Sequence, residues 1–217
     1  MIDVSIIFVN YKTEEYLFEC LKSVQQFTSQ ITLEYIVADN RFVEGNNEQI
    51  VSAFPYVKWI NAGDNVGFSK ANNIGAQHAT GKYLLFLNCD TLLFDNAIFN
   101  AFSFLENNPN YAALGGIQLD SNKNAIPFYH SLNDVRKDFY FIPQSELCKK
   151  ILLRLLPKEN FSLGETNNLV GAFIMISKEV FFIAGQWDED FFMYAEDAEL
   201  SFRLSKLGKI GYIKDVQ

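Results

Sequence analysis

Strand-like and helix-like segments alternate through the first half of this chain, and that alternation narrows the available folds more than any other feature. Short apolar, β-rich runs occur at Val4 to Val9, Leu33 to Ala38, Val57 to Ile60 and Tyr83 to Leu87. Between them lie helical stretches: Glu14 to Gln26, with Leu17, Leu21 and Val24 on one face, then Glu48 to Phe54 and Ser69 to Ala79. Strand followed by helix, repeated, predicts an α/β fold with a doubly wound, mostly parallel sheet. Ligands of such sheets bind beyond the carboxyl ends of the strands. The segments of interest are therefore Asn10-Tyr11, Asp39-Asn40, Asn61 to Phe68 and Asn88 to Thr91.

The second half reads differently. A helix is expected from Asn96 to Asn107, a strand from Ala112 to Leu119, and then a long aromatic-rich stretch without regular alternation from Ser121 to Gly164. Within that stretch Leu147, Ile151, Leu152 and Leu155 form an apolar arc flanked by Lys150 and Arg154. It suits a peripheral membrane or acceptor-docking helix about as well as a helix packed on its own domain. Regular structure resumes with a strand at Leu169 to Ile176, a helical stretch from Lys178, and a helix from Glu196 to Leu207.

With 217 residues, 49% of them hydrophobic, the chain can bury a full core as one domain. Its net charge of -8 opposes nucleic acid as a partner, since phosphate backbones are bound by broad basic faces. Any polyanion it handles should be small and bridged by metal. Cys20, Cys89 and Cys148 share no close spacing, which suggests free thiols rather than a disulfide framework or a zinc cluster. The first residues lack the basic flank and apolar core of a secretory signal, and no uncharged stretch approaches the roughly 18 residues of a membrane span. A cytoplasmic protein is expected, with peripheral attachment to the cytoplasmic face of the membrane and homodimer formation left open.

Four segments carry groups suited to holding a nucleoside diphosphate. Asp39 could accept a hydrogen bond from a base N–H, although a solvated turn aspartate has the same sequence signature. Asn65-Val66-Gly67-Phe68 leads into Asn72-Asn73-Ile74-Gly75, where Gly67 permits close backbone approach; Asn65 or Ser69 could equally cap a helix. Leu84 to Thr91 delivers Asn88 and Asp90 to the sheet edge, and a hard cation on diphosphate oxygens needs such a carboxylate. Trp187 to Leu200 sets six acids around aromatic residues, an arrangement that raises carboxyl pKa values and suits a general base.

Together, in this order and spacing, these segments resemble the inverting glycosyltransferases of family 2, whose fold is the nucleotide-binding GT-A type, and most closely the branch that includes rhamnosyltransferases. The resemblance runs from Val4–Tyr11 through Val37–Asn40, Asn65–Phe68, Asn72–Gly75, Leu87–Thr91 and Gly171–Phe173 to Trp187–Phe192 and Glu196-Asp197. It implies that Asp39 contacts the base, that Val9 and Tyr11 line the nucleoside pocket, and that Asn65, Gly67, Phe68, Asn72 and Asn88 complete the nucleotide site. Asp90 would be the retained metal-binding acid, for Mn2+ or Mg2+, with Asn88 in place of the signature's first acid. Asp197 would be the general base, with Glu196 as second candidate, and Trp187 and Asp188 would face the acceptor. Residues 1–95 would form the nucleotide-binding half, and residues 96–217 an acceptor-binding and catalytic half cut short at its carboxyl end. The donor would be a UDP- or dTDP-sugar, and the acceptor a saccharide or lipid-linked saccharide in polysaccharide or surface-glycan synthesis. Asn88 also admits a catalytically idle nucleotide-sugar-binding or partner-binding module. A sugar nucleotidyltransferase fits less well, because no glycine-rich basic loop follows the first strand.

Overall fold

The computed structural model describes residues 2–41, 47–120, 122–126, 164–166, 168–214 and 216. The run expected to be a strand at the N-terminus is β1 (Val4–Asn10), and it lies well inside an eight-stranded sheet. It pairs in parallel with β2 (Leu33–Asp39) on one side and with β4 (Tyr83–Leu87) on the other, while β3 (Lys58–Asn61) extends β2 in parallel. The remaining strands are β5 (Tyr111–Gly115), β6 (Gly164–Glu165), β7 (Phe173–Ser177) and β8 (Lys209–Tyr212), giving the order β3-β2-β1-β4-β7-β5-β8-β6.

Alternate side chains of β1 serve two different cores, as the pleat of a strand requires. Ile6 and Phe8 pack with Leu17, Cys20, Leu21 and Val24 of α1 (Glu14–Phe27), with Ile50 of α2 (Glu48–Ala53), and with Ala97, Ile98, Ala101 and Leu105 of α4 (Ala97–Asn107). Ile7 faces the other way, into a cluster with Ala76 of α3 (Phe68–Gln77), Phe181 of α5 (Lys178–Ile183), and Leu200 and Leu204 of α6 (Glu196–Leu204). α3 lies very close to the sheet: a Cβ on Gly75 would come within 2.6 Å of the Ile7 Cγ2.

The sheet is mixed rather than uniformly parallel. β5 and β8 are parallel to each other, but β7 runs antiparallel to both β4 and β5, and β6 runs antiparallel to β8. The strand expected at Leu169 begins only at Phe173. Leu169 is fully buried and so resembles a strand residue in sequence, but its N–H goes to the Ser201 hydroxyl and that of Val170 to the Tyr212 hydroxyl, instead of to a ladder. The strand expected to reach Leu119 ends at Gly115, and the last helix ends at Leu204 rather than Leu207. β6 and β8 were not expected. Cys148 and the arc from Leu147 to Leu155 lie outside the described residues.

Candidate active site

Because β1, β2, β3 and β4 are parallel, their carboxyl ends share one edge, and the order of strands reverses at β1, with β2 on one side and β4 on the other. A crevice at such a reversal is where open α/β sheets bind ligands. Its floor is a buried polar layer. Asn10, at the end of β1, donates to Asp39 Oδ1 (3.1 Å) and Glu14 Oε1 (3.3 Å) and accepts from the Thr13 N–H and hydroxyl. Asp39, directly across in register, is 3% exposed; Oδ1 also accepts from the Arg41 N–H (3.2 Å) and Oδ2 from the Trp59 indole (3.0 Å). Asn40 then ties this layer to the next loop, donating to the Gly67 carbonyl (3.0 Å) and accepting from the Val66 N–H (3.3 Å).

Above that floor, a cleft of about 240 Å³ is lined by Val9, Tyr11, Asn40, Asn65, Gly67, Phe68, Asn88, Asp90, Phe192 and others. No side chain caps α3. Its N-cap is Gly67, at φ 88° and ψ 174°, and the hydroxyl of buried Ser69 has no partner among the described residues. That backbone region is essentially closed to residues with a Cβ. A Cβ there would also lie 2.7 Å from the Phe192 carbonyl, which instead accepts the Phe68 N–H at 2.8 Å.

A larger cleft of about 740 Å³ shares Phe68, Asn88, Asp90 and Met193 with the first and adds Ile117, Leu119, Gly171, Tyr194, Glu196 and Asp197 among its walls. Asp197 sits in the first turn of α6, where one oxygen accepts the Gly171 N–H (3.1 Å) and the other the Ala198 N–H (2.8 Å). Glu196 is 8% exposed, with Oε2 unpartnered among the described residues; burial, opposed by its own N–H and reinforced by Asp197, pushes its pKa up. Burial, with one neighbouring acid, thus perturbs Glu196 in the direction expected of a buried carboxyl.

Several residues sit elsewhere than expected. Trp187 is 1% exposed and packs edge-on against Phe68 and Phe86, with ring centroids 5.6 and 5.2 Å away, so its indole faces the core and not an acceptor. Asp188 spends Oδ1 on the Asp190 N–H in a local turn (3.0 Å), and neither Trp187 nor Asp188 lines the two clefts. Asn72 is buried and donates back to the Phe68 carbonyl one helical turn earlier, while Asp39 lies in the floor behind the smaller cleft. Asn10, Asn40 and Asn73 lie in segments the sequence marks out, but the sequence assigns them no role. Their place after a strand, or beside a glycine-led helix start, was the available signal.

Charge decides what the clefts can hold. The described lining contains Asp90, Glu196 and Asp197 and no Lys, Arg or His, with Lys12 and Lys123 placed over the rings of Tyr11 and Phe94 at the rim. A diphosphate alone would meet net repulsion. Asp90 is exposed and makes no hydrogen bond or ion pair with the described residues. Among those residues no group of three or more His, Cys, Asp or Glu could hold a metal ion. The donor set therefore fits a hard cation held by one carboxylate and completed by phosphate oxygens and water, the usual habit of Mg2+.

This sheet order, with the acidic cleft at its reversal point, defines a GT-A type nucleotide-diphospho-sugar transferase fold. Solved structures agree: a Pyrobaculum calidifontis mannosyltransferase in complex with GDP-Man and Mn2+ (TM-score 0.69, 18% identity, 98% of this chain and 55% of that one) and S. aureus TarS 1-349 in complex with UDP (TM-score 0.69, 17% identity, 99% and 58%). Glycosyl transferase family 2 matches residues 5–181, and the chain belongs to that family. It is 28% identical over 208 residues to the low-salt glycan biosynthesis hexosyltransferase Agl10 of Haloferax volcanii, covering 93% of this chain and 61% of Agl10. It is 24% identical to the poly-beta-1,6-N-acetyl-D-glucosamine synthase of Staphylococcus epidermidis, covering 93% of this chain and 45% of the synthase. The chain thus spans about half to three-fifths of these relatives' lengths. No helix among the described residues is long and apolar enough to cross a membrane.

Proposed function

We propose that this chain transfers a sugar from a UDP- or dTDP-sugar to a hydroxyl of a saccharide or lipid-linked acceptor, with inversion, in polysaccharide or surface-glycan synthesis at the cytoplasmic side of the membrane. The observation that carries this reading is that Asp90, from the first half, and Asp197, from the second, line one cleft at the reversal point of the sheet. Residues 1–95 supply the nucleotide side, with Val9, Tyr11, Asn65, Gly67, Phe68 and Asn88 around the donor and Asp39 holding the floor. Residues 96–217 supply the acceptor side. Asp90 would hold a divalent cation, Mn2+ or Mg2+, which when bound neutralises charge on the leaving diphosphate.

In the reaction, Asp197 takes the proton from the acceptor hydroxyl as that oxygen bonds to the anomeric carbon. The bond from that carbon to the diphosphate breaks, and its electron pair leaves with the nucleoside diphosphate. One displacement from the opposite face inverts the configuration. Its two N–H contacts hold the Asp197 carboxylate in a fixed orientation for this transfer. Buried Glu196, whose pKa burial raises above the ordinary glutamate value, is the second candidate and adjoins the base.

The test is a calorimetric screen of sugar nucleotides with and without Mn2+ or Mg2+, followed by turnover with the tightest donor. Cation-dependent binding that Asp90→Ala abolishes, and donor hydrolysis that Asp197→Asn abolishes while binding persists, are expected. Failure to bind UDP and dTDP in either metal would end this reading. Binding with no turnover in the wild-type chain would favour the idle module instead.

A further inference from the structure

Resting on the assignment of Asp197 as base, we infer that Asn73 is a positioning residue for the reaction: its buried amide fixes the root of the segment that presents Asp197. Asn73 lines neither cleft and is 3% exposed. Its Oδ1 accepts the Trp187 N–H at 3.0 Å, while its Nδ2 donates to the Trp187 carbonyl at 2.9 Å and to Glu189 Oε1 at 3.0 Å. One side-chain amide thereby satisfies both backbone groups of a residue 114 positions away, as a neighbouring strand would.

The reason this hold matters lies downstream. Tyr194 and Ala195, the two residues before α6, both have positive φ, at 74° and 69°. Residues other than glycine keep such backbone only where the surrounding structure fixes them. The downstream end is fixed by α6, through Leu200 and Leu204 in the core. The upstream end is fixed by the Asn73 amide on Trp187 and by the Phe68 N–H on the Phe192 carbonyl, both from α3. With the Asn73 contacts gone, the turn can relax toward negative φ. The first turn of α6 then shifts, and the Asp197 carboxylate leaves the Gly171 N–H that orients it. α3 also forms the edge of the nucleotide-side cleft through Gly67 and Phe68, so the same helix serves both halves of the site.

The experiment compares the full chain with Asn73→Ala, Asn73→Ser and Glu189→Gln, reading UDP affinity in Mn2+ by calorimetry, hydrolysis of the tightest-binding sugar nucleotide, and amide hydrogen exchange. For Asn73→Ala we expect UDP affinity within about twofold and turnover lower by about tenfold to a hundredfold, the range for a displaced reacting group. Exchange should speed up at Trp187 and Gly171 but not in β1 or β4. Asn73→Ser introduces no charge beside Glu189 and keeps a hydroxyl that can serve at most one of the two Trp187 groups, so its losses should be intermediate; it serves as the reading if the alanine variant does not fold. Glu189→Gln leaves both Trp187 bonds and should match wild type. Unchanged exchange at Gly171 in Asn73→Ala would overturn the inference, as would a parallel fall in UDP affinity, turnover and melting temperature. Should the wild-type chain neither bind UDP nor hydrolyse a donor, the proposed function fails, and the exchange comparison still decides whether Asn73 holds the segment.

Discussion

Glu34 offers a perturbation that can be read independently of the reaction, because it sits near the start of β2, at the opposite end of the strands from the clefts. It is 8% exposed and its carboxylate is fully engaged: Oε2 accepts from the Ser5 hydroxyl (2.5 Å) and the Thr80 N–H (2.8 Å), and Oε1 from the Thr80 hydroxyl (3.0 Å) and the Lys58 ammonium. Burial raises its pKa, but these donors, Lys58 first, outweigh it and hold the carboxyl at about 2, against an ordinary 4.5. A depressed pKa in the folded state stabilises the fold above the unfolded value and loses that stabilisation as pH falls toward the folded one. At 1.36 kcal/mol per pKa unit the difference amounts to roughly 3 kcal/mol at neutral pH. Lys58 is half-exposed, so screening trims its part, and about 2–3 kcal/mol is expected. Glu34→Gln keeps the shape but faces the Lys58 and Thr80 donors with an uncharged amide. In urea unfolding it should be less stable by that amount at neutral pH, with a melting temperature lower by about 5–10 °C. The gap should shrink to under about half by roughly pH 3, because the wild-type carboxyl then gains its proton on unfolding. An unchanged gap between neutral pH and pH 3 would refute the reasoning, since a packing defect does not titrate.

Three further outcomes are expected. Gly67→Ala combines a backbone region costing about 1–3 kcal/mol for other residues with a Cβ 2.7 Å from the Phe192 carbonyl, so both melting temperature and UDP affinity should fall; wild-type affinity would show that this turn does not shape the cleft. Trp187→Ala should lose about 3–5 kcal/mol of stability as a core truncation, whereas Trp187→Phe, if stable, should leave the acceptor KM unchanged; a raised KM with intact stability would return Trp187 to the acceptor site. Burial pushes the Cys89 thiol up to about 12 and raises that of Cys20 as well, so neither should react with Ellman's reagent until the chain unfolds, as peptide mapping would show.

The first half of the fold was legible because its signals are local. Tyr83–Leu87 is a continuous apolar run bounded by Gly81 and Asn88, and a five-residue strand buried on both faces has no other easy sequence form. Gly67 was legible for a similar reason, since a glycine opening a helix marks a special backbone. The aromatic-acidic segment was harder. Trp187, Phe191, Phe192 and Tyr194 lie close together in sequence, yet Trp187 is in the core while Tyr194 is 80% exposed. What separates them is a loop path pinned by Asn73, from more than a hundred residues away, and no window of sequence contains that bond. Asn72 and Asn73 show the same limit: adjacent and identical in type, one closes a helical turn and the other clamps the segment that leads into α6.

The orientation of β7 was equally hidden, and the site depends on it. β7 pairs with β4 in antiparallel register, Leu87 opposite Phe173, so the residues entering β7 lie at the edge where β4 ends. The Asn88 N–H accordingly reaches the Ala172 carbonyl at 3.0 Å, and the neighbouring Gly171 N–H reaches Asp197. A parallel strand in that position would begin at the far edge of the sheet and carry Gly171 away with it. Asp197 would then lose the contact that aims it into the cleft holding Asp90. The reversal of one strand is thus what lets the second half of the chain contribute a carboxylate to the edge defined by the first.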